Sequence, residues 1–393
     1  MGRLSGGARQ GDAVMPAAAQ KVLLLIGHQA FSLVNFRADL IRALVAQGVR
    51  VVALAPDFDA QTRAEVQALG ATAEPYYLNR TGTNALQDSF TLLQLALKIR
   101  QWKPAALLCY STKPVILGTL AGALAGVPRR VALIEGMGYS FTPPQQGAGL
   151  ARRALQSMVA LLFRLALARA HRVLLLNPDD LAEMRGRGLV GPSKTEVLDG
   201  IGVDLAYWRG AGPQLAPLTF VLAARLLVEK GVREYVAAAR LVKAACPTAR
   251  FLLLGGLDSN PGALAAAEVH AWVQEGVIEW PGHVEVKPWL ARASVFVLPS
   301  YREGLPRSTQ EAMAMGLPII TTDVPGCRAT VVPGDNGYLV AAGDATALAA
   351  AMQQFVDDPQ RVRRMGARSL AMAEQRFDVH QASRRIIATL ALS

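Results

Sequence analysis

A chain of 393 residues exceeds a single hydrophobic core of usual size, so two domains are the expectation. Charged residues make up only 18% and the composition is globular and α/β in flavour, which argues against disorder outside the ends. The net charge of +11 suits nucleic acid, an anionic membrane surface or phosphorylated small molecules, but no interleaving of basic and aromatic residues accompanies it, so nucleic acid is excluded as a partner.

The charge is uneven: residues 1–204 carry 22 basic and 14 acidic side chains, against 19 and 16 in residues 205–393. Cys109, Cys246 and Cys327 lie far apart without metal-ligand spacing, which points to a reducing cytoplasm. Residues 1–20 read as a loose tail, with Met15 as an alternative start, and Lys21–Ile26 is too short for a signal sequence. No run reaches 18 apolar residues without a charge, so a spanning helix is not expected.

From Lys21 onward short apolar runs alternate with helical patterns, the mark of βαβ units and a parallel sheet. The first half offers strands at Val22–Ile26, Val49–Ala55, Ala105–Tyr110, Arg130–Ile134 and Val173–Asn177. Ser32 is expected to cap a helix whose apolar positions Phe36, Leu40 and Leu44 recur at helical spacing before Gly48 stops it. Gly27–Leu33, after the first strand, is a loop where such sheets bind ligands. Gly200–Asp204 and the Gly- and Pro-rich stretch to Pro217 read as a linker. The alternation then restarts, with strands at Phe220–Ala224, Phe251–Gly255, Val277–Trp280, Val295–Leu298 and Ile319–Thr322. Two terminal helices are expected, over 344–357 and 359–392. A cleft between the two units follows.

The stretch Pro299–Thr322 carries the most chemistry. It reads as strand, loop, helix, strand, with Pro306 as the first helical residue and Gly316 closing the helix. Free backbone N–H groups near Gly304–Arg307 would favour a phosphate. Glu303 lies in the loop and Glu311 about five residues into the helix, about 7.5 Å along its axis, so a diphosphate between two hydroxylated rings could touch both. Arg225 and Lys230 follow the first strand of the same unit and suggest a diphosphate clamp. His28 and His283 fall at strand ends facing possible clefts, whereas His171, His270 and His380 look incidental. Asp57-Phe-Asp59 has the spacing of a metal-chelating triplet, but beside Pro56 it suits a helix cap better. No metal-ligand set, Ser-His-Asp arrangement or dinucleotide fingerprint is present.

Gly136–Pro178 contains no acidic residue and carries Arg152, Arg153, Arg164, Arg169 and Arg172 around Leu155, Val159, Leu162, Phe163 and Leu167. That amphipathic, basic pattern is either a core-packing helix with solvated arginines or a contact with anionic lipid.

At these residues the chain resembles a family-four GT-B glycosyltransferase, the retaining class that includes bacterial capsule and glycan-assembly enzymes. The resemblance spans residues 21 to about 385 and is strongest over 282–340. It rests on Glu303 and Glu311 with the following Ala-Met-Ala-Met-Gly-Leu-Pro, and on Arg225 and Lys230 at the family's A-R-L and K-G positions. Pro325–Arg328 and Asn336–Val340 also fit. Ser32-Leu-Val-Asn-Phe-Arg37 and Glu135-Gly-Met-Gly138 resemble acceptor-side loops. The resemblance implies a GT-B fold of two doubly wound Rossmann-like domains facing a cleft. Residues 21–204 would bind acceptor, 205–375 the nucleotide sugar, and a helix in 376–393 would pack back on the first domain.

It further implies that Arg225 and Lys230 hold the donor diphosphate, assisted by backbone amides around Gly304, Leu305 and Pro306. Glu303 would contact the donor sugar and Glu311 the ribose, with Gly27 and His283 lining the donor site. Ser32, Asn35, Arg37 and Gly138 would bind acceptor. Glu135 stands where many relatives have a histidine, and Ala329 where a glutamate is frequent. The expected activity is retaining, metal- and cofactor-independent transfer of a hexose or N-acetylhexosamine from a UDP-sugar to a polyprenyl-diphosphate-linked saccharide. The enzyme would be cytoplasmic, held peripherally on the anionic inner membrane. The alternatives are a GT-B UDP-sugar epimerase or hydrolase, which would turn over UDP-sugar without acceptor, and a non-catalytic nucleotide-sugar or lipid binding module.

Overall fold

A computed structural model describes residues 20–79, 84–137, 150–258, 260 and 262–392, the side chains of 150–156 excepted. The first unit runs β1 (Val22–Ile26), α1 (Ala30–Ala46), β2 (Arg50–Ala55), α2 (Ala60–Ala68), β3 (Thr72–Pro75), α3 (Ala85–Trp102), β4 (Ala106–Tyr110), α4 (Thr112–Leu124), β5 (Arg129–Ile134), α5 (Leu150–Arg169), β6 (Arg172–Leu175), α6 (Pro178–Gly186) and β7 (Thr195–Val197). The second runs α7 (Leu205–Trp208), β8 (Thr219–Ala223), α8 (Val232–Ala245), β9 (Arg250–Leu254), α9 (Ala266–Gln274), β10 (Glu279–Gly282), α10 (Lys287–Leu290), β11 (Val295–Leu298), α11 (Arg307–Ala314), β12 (Ile319–Thr322) and β13 (Gly337–Val340), closed by α12 (Ala345–Asp357), α13 (Gln360–Arg376) and α14 (Val379–Leu390).

Both sheets are parallel, ordered β3-β2-β1-β4-β5-β6-β7 and β10-β9-β8-β11-β12-β13. Each is a doubly wound, Rossmann-like sheet whose strand order reverses once, between β1 and β4 in the first and between β8 and β11 in the second. Helices cover both faces, so the central strands read as unbroken apolar runs such as Leu23–Ile26 and Val295–Leu298. One apolar cluster continues from the first sheet through Leu198, Ile201 and Val203 into the second.

The strands that sequence pattern leaves out, β3, β7 and β13, lie at sheet edges. They are three or four residues long and carry Thr, Glu, Pro or Gly, because an edge needs less apolar surface. The single terminal helix expected over 359–392 is two. The chain breaks at Phe377–Asp378, where Val203 N donates to the Phe377 carbonyl and Val379 N to that of Val203, at 2.8 and 3.1 Å. α14 then returns to the first unit: it packs on α1, and Arg129 donates to the carbonyl of Thr389. Ser32 does not cap α1. Gln29 is the N-cap, and the Asp57 carboxylate, arriving from the loop after β2, accepts from Ala30 N at 2.7 Å. Asp59 caps α2 through a capping box with Thr62, so both aspartates of the Asp57-Phe-Asp59 triplet serve helix starts.

Candidate active site

Loops at the carboxyl ends of the two sheets meet. Such edges, at the reversal of strand order, are where doubly wound sheets bind ligands. At the β8/β11 reversal, a 3-10 turn, Val228–Lys230, ends at Gly231, whose φ is +68°. A Cβ on Gly231 would lie 2.1 Å from the Pro299 carbonyl oxygen, so glycine lets the turn press against the β11 loop. Lys230 Nζ thereby reaches Glu303 Oε1 at 2.5 Å, and Ser300 Oγ donates to the same oxygen at 2.8 Å. Arg225 stands apart, exposed and paired with Asp258 at 3.1 Å.

α11 begins at Arg307 with Pro306 as its N-cap. Proline has no N–H, so Pro306 offers no amide donor, contrary to the expectation, and the open donors belong to the first helical turn. Leu305 is buried against the Gly200 turn and acts in packing. Arg307 Nε donates to Glu311 Oε1 at 3.0 Å, and its guanidinium lies 5.1 Å from the centre of the Phe36 ring across the cleft. Burial pushes the Glu311 carboxyl above its ordinary range, with Arg307 pulling the other way. His283 is exposed after β10, beside Gly256.

At the β1/β4 reversal the arrangement differs. Arg37 is 1% exposed and ion-paired with Glu135, its guanidinium 4.3 Å from the centre of the Tyr110 ring. Ser111 Oγ donates to the other Glu135 oxygen at 3.0 Å. Glu135 itself is 24% exposed. Ser32 is buried: its hydroxyl donates to the Gln29 carbonyl and lies 2.8 Å from the Tyr110 hydroxyl. Arg37 and Ser32 therefore turn inward and hold other residues, rather than facing a ligand. Asn35 is exposed and donates to the Phe31 carbonyl. A Cβ on Gly27 would fall 2.2 Å from the Tyr110 hydroxyl, which accounts for a glycine there. Gly138 lies outside the described residues.

Gly304 joins the two edges. A Cβ there would sit 1.5 Å from the Glu135 carbonyl oxygen, and the Gly304 carbonyl accepts from Asn177 Nδ2. Beside it Arg302 pairs with Asp180 and Glu183 of α6, each at 2.6 Å, and Arg328 with Asp179 at 3.2 Å. These partners escape sequence reasoning, although Asn177 before Pro178-Asp-Asp is a legible helix start. Ala329 is half-buried, its carbonyl accepting from Arg376. Among the described residues no group of His, Cys, Asp and Glu could hold a metal ion, and no helix is long and apolar enough to cross a membrane.

Residues 217–358 match the family "Glycosyl transferases group 1", and residues 34–199 match "Glycosyl transferase 4-like domain". The N,N'-diacetylbacillosaminyl-diphospho-undecaprenol alpha-1,3-N-acetylgalactosaminyltransferase of Campylobacter jejuni is 26% identical over 377 residues, covering 92% of this chain and 96% of that protein. A putative colanic acid biosynthesis glycosyltransferase of Salmonella typhimurium is 33% identical over 46% of the chain and 47% of its own length. Among solved structures, sucrose-phosphate synthase from Thermosynechococcus elongatus superposes with a TM-score of 0.74 at 19% identity, over 94% of this chain and 98% of that one. Anabaena HepE, solved with UDP and glucose, superposes at 0.73 and 17%, over 95% and 100%. At those identities the likeness concerns the fold, which is GT-B.

Proposed function

The chain belongs to the group 1 glycosyltransferases, and from that premise we propose that it moves a hexose or N-acetylhexosamine from a UDP-sugar to a polyprenyl-diphosphate-linked saccharide, with retention and without a metal ion. Residues 205–375 bind the donor and residues 21–204 the acceptor. The reaction takes place at the cytoplasmic surface of the inner membrane.

The observation that carries the reading is the Lys230–Glu303 pair at the β8/β11 reversal, beside the start of α11. In this reading its cation neutralises a leaving diphosphate, and its carboxylate accepts hydrogen bonds from sugar hydroxyls. In the step proposed, the bond from the anomeric carbon to the diphosphate breaks as the sugar gains oxocarbenium character. The acceptor oxygen bonds that carbon on the same face, and its proton passes to an oxygen of the departing diphosphate. Lys230 and the first-turn amides of α11 balance the charge that develops, Arg225 holds the distal part of the diphosphate, and Glu311 takes the ribose. Glu135, fixed by Arg37 and Ser111, faces the acceptor side. The lipid-linked acceptor is supported by the likeness to the Campylobacter enzyme over nearly the whole of both chains.

The test is UDP release from a panel of UDP-sugars, with and without detergent-solubilised polyprenyl-diphosphate saccharides, in EDTA, with the product's anomeric configuration read by NMR. Acceptor-dependent release giving the donor's own anomer is the expected result. Acceptor-independent isomerisation, hydrolysis or an inverted product would sink the reading.

A further inference from the structure

Two helices of the first unit leave apolar side chains in the open. On α3, Leu86, Phe90, Leu93 and Leu97 are 82%, 57%, 62% and 60% exposed. Their spacing of four, three and four residues sets them in one line along the helix, about 16 Å long. The opposite stripe of α3, through Thr91, Leu95, Ala96 and Ile99, is the one that packs on the core. Tyr77, exposed just after β3, meets Phe90 edge-on with ring centres 5.7 Å apart and extends the line toward the cleft end of the sheet. At the far end Arg100 Nη2 donates to the carbonyl of Leu124, the exposed last residue of α4, at 3.2 Å. α4 is recessed between α3 and α5, and α5 exposes Met158, Leu161 and Leu165 around Arg164.

Charge decides what covers this layer. From Ser89 to Pro178 the chain carries eleven Lys and Arg and one carboxylate, Glu135, which Arg37 already neutralises. Two of those cations are paired from outside the stretch, Lys113 with Asp88 and Lys98 with Glu74, which leaves a surplus of eight positive charges over it. A second copy of the chain would set these cations against each other. An anionic bilayer would take the ridge into its acyl boundary while Arg100, Lys103 and Arg164, all exposed, stay among the phosphates.

We propose that the outer faces of α3 and α5 dock on an anionic lipid bilayer, with Leu86, Phe90, Leu93 and Leu97 as the inserting row. This rests on the reading of a membrane-borne acceptor. It assigns the surface, and places insertion on α3, which the basic pattern of Gly136–Pro178 does not reveal. Because the row ends near the cleft through Tyr77, a docked molecule opens its acceptor side close to the headgroups.

The experiment is co-sedimentation of the full chain with vesicles of phosphatidylglycerol and phosphatidylethanolamine, against phosphatidylcholine alone, for wild type, Leu93→Glu/Leu97→Glu and the milder Leu86→Ser/Phe90→Ser. Transfer to a short-chain, water-soluble acceptor analogue, melting temperature and solution mass are measured in parallel. Wild type is expected to bind the anionic vesicles and release them in high salt. Both variants are expected to lose at least tenfold in binding while keeping melting temperature and soluble transfer. Unchanged binding by both variants, no binding by wild type, or a wild-type dimer that the variants split would each overturn the docking surface. Failure of wild type to transfer to any acceptor would count against the transferase reading instead, whatever the vesicles show.

Discussion

Both sheets gather a cation, a carboxylate and a serine hydroxyl at the point where strand order reverses. The first has Arg37, Glu135 and Ser111; the second has Lys230, Glu303 and Ser300. The sets look alike and are built for different work. Arg37 is sealed in, with the Tyr110 ring over its guanidinium, one Nη on Glu135 and the other donating to the Phe36 carbonyl. Lys230 sits on a turn that Gly231 lets approach the β11 loop, and is partly open with three donors. One set fixes a carboxylate; in the proposed reaction the other gives up its lysine to a diphosphate. Gly304, against the Glu135 carbonyl, puts the two within one site.

The difference between the two sets shows most directly at Lys230. Lys230→Ala should lower kcat/KM for the UDP-sugar about 10²–10³-fold, by analogy with removal of one donor from a preorganised charge-stabilising site; steady-state UDP release measures it. An equal loss of UDP affinity in Arg37→Ala would mean that the two sets do the same work. Arg37→Leu should instead lower stability by about 3 kcal/mol in urea unfolding, because Glu135 loses its buried counter-charge, with UDP affinity by calorimetry unchanged. Glu135→Gln is expected to reduce kcat about tenfold or more and leave UDP affinity alone; a loss confined to donor KM would move Glu135 to the donor side.

The smallest effect concerns Glu311. Burial raises its folded pKa above the free value. Its contribution to stability is therefore full below the ordinary glutamate range and is lost as pH rises through the raised value. Ligand-free wild type should lose melting temperature across that window relative to Glu311→Gln, and parallel curves would remove the assignment.

Much of the fold is legible in the sequence. A central parallel strand is covered on both faces, so β1, β11 and β12 appear as apolar runs with the bounds the sequence suggests. Glu303 and the start of α11 could be read because strand, loop and helix are consecutive there, whereas Lys230 joins them only through the pairing of β8 with β11. Edge strands β3, β7 and β13 carry no such run. Helical spacing alone does not tell that Ser32 and Arg37 lie on the face of α1 that meets Tyr110 and Glu135.

What the chain's own pattern determined was therefore the two doubly wound units and the strand, loop and helix that carry Glu303 and Glu311. Tertiary structure alone decided the pairings. It set Arg37 under Tyr110, Arg302 between Asp180 and Glu183, Arg307 against Phe36, and the second apolar face of α3 outward. The physical reason is range: backbone propensity and apolar period act over a few residues, whereas these contacts join segments brought together only when the sheets close on each other.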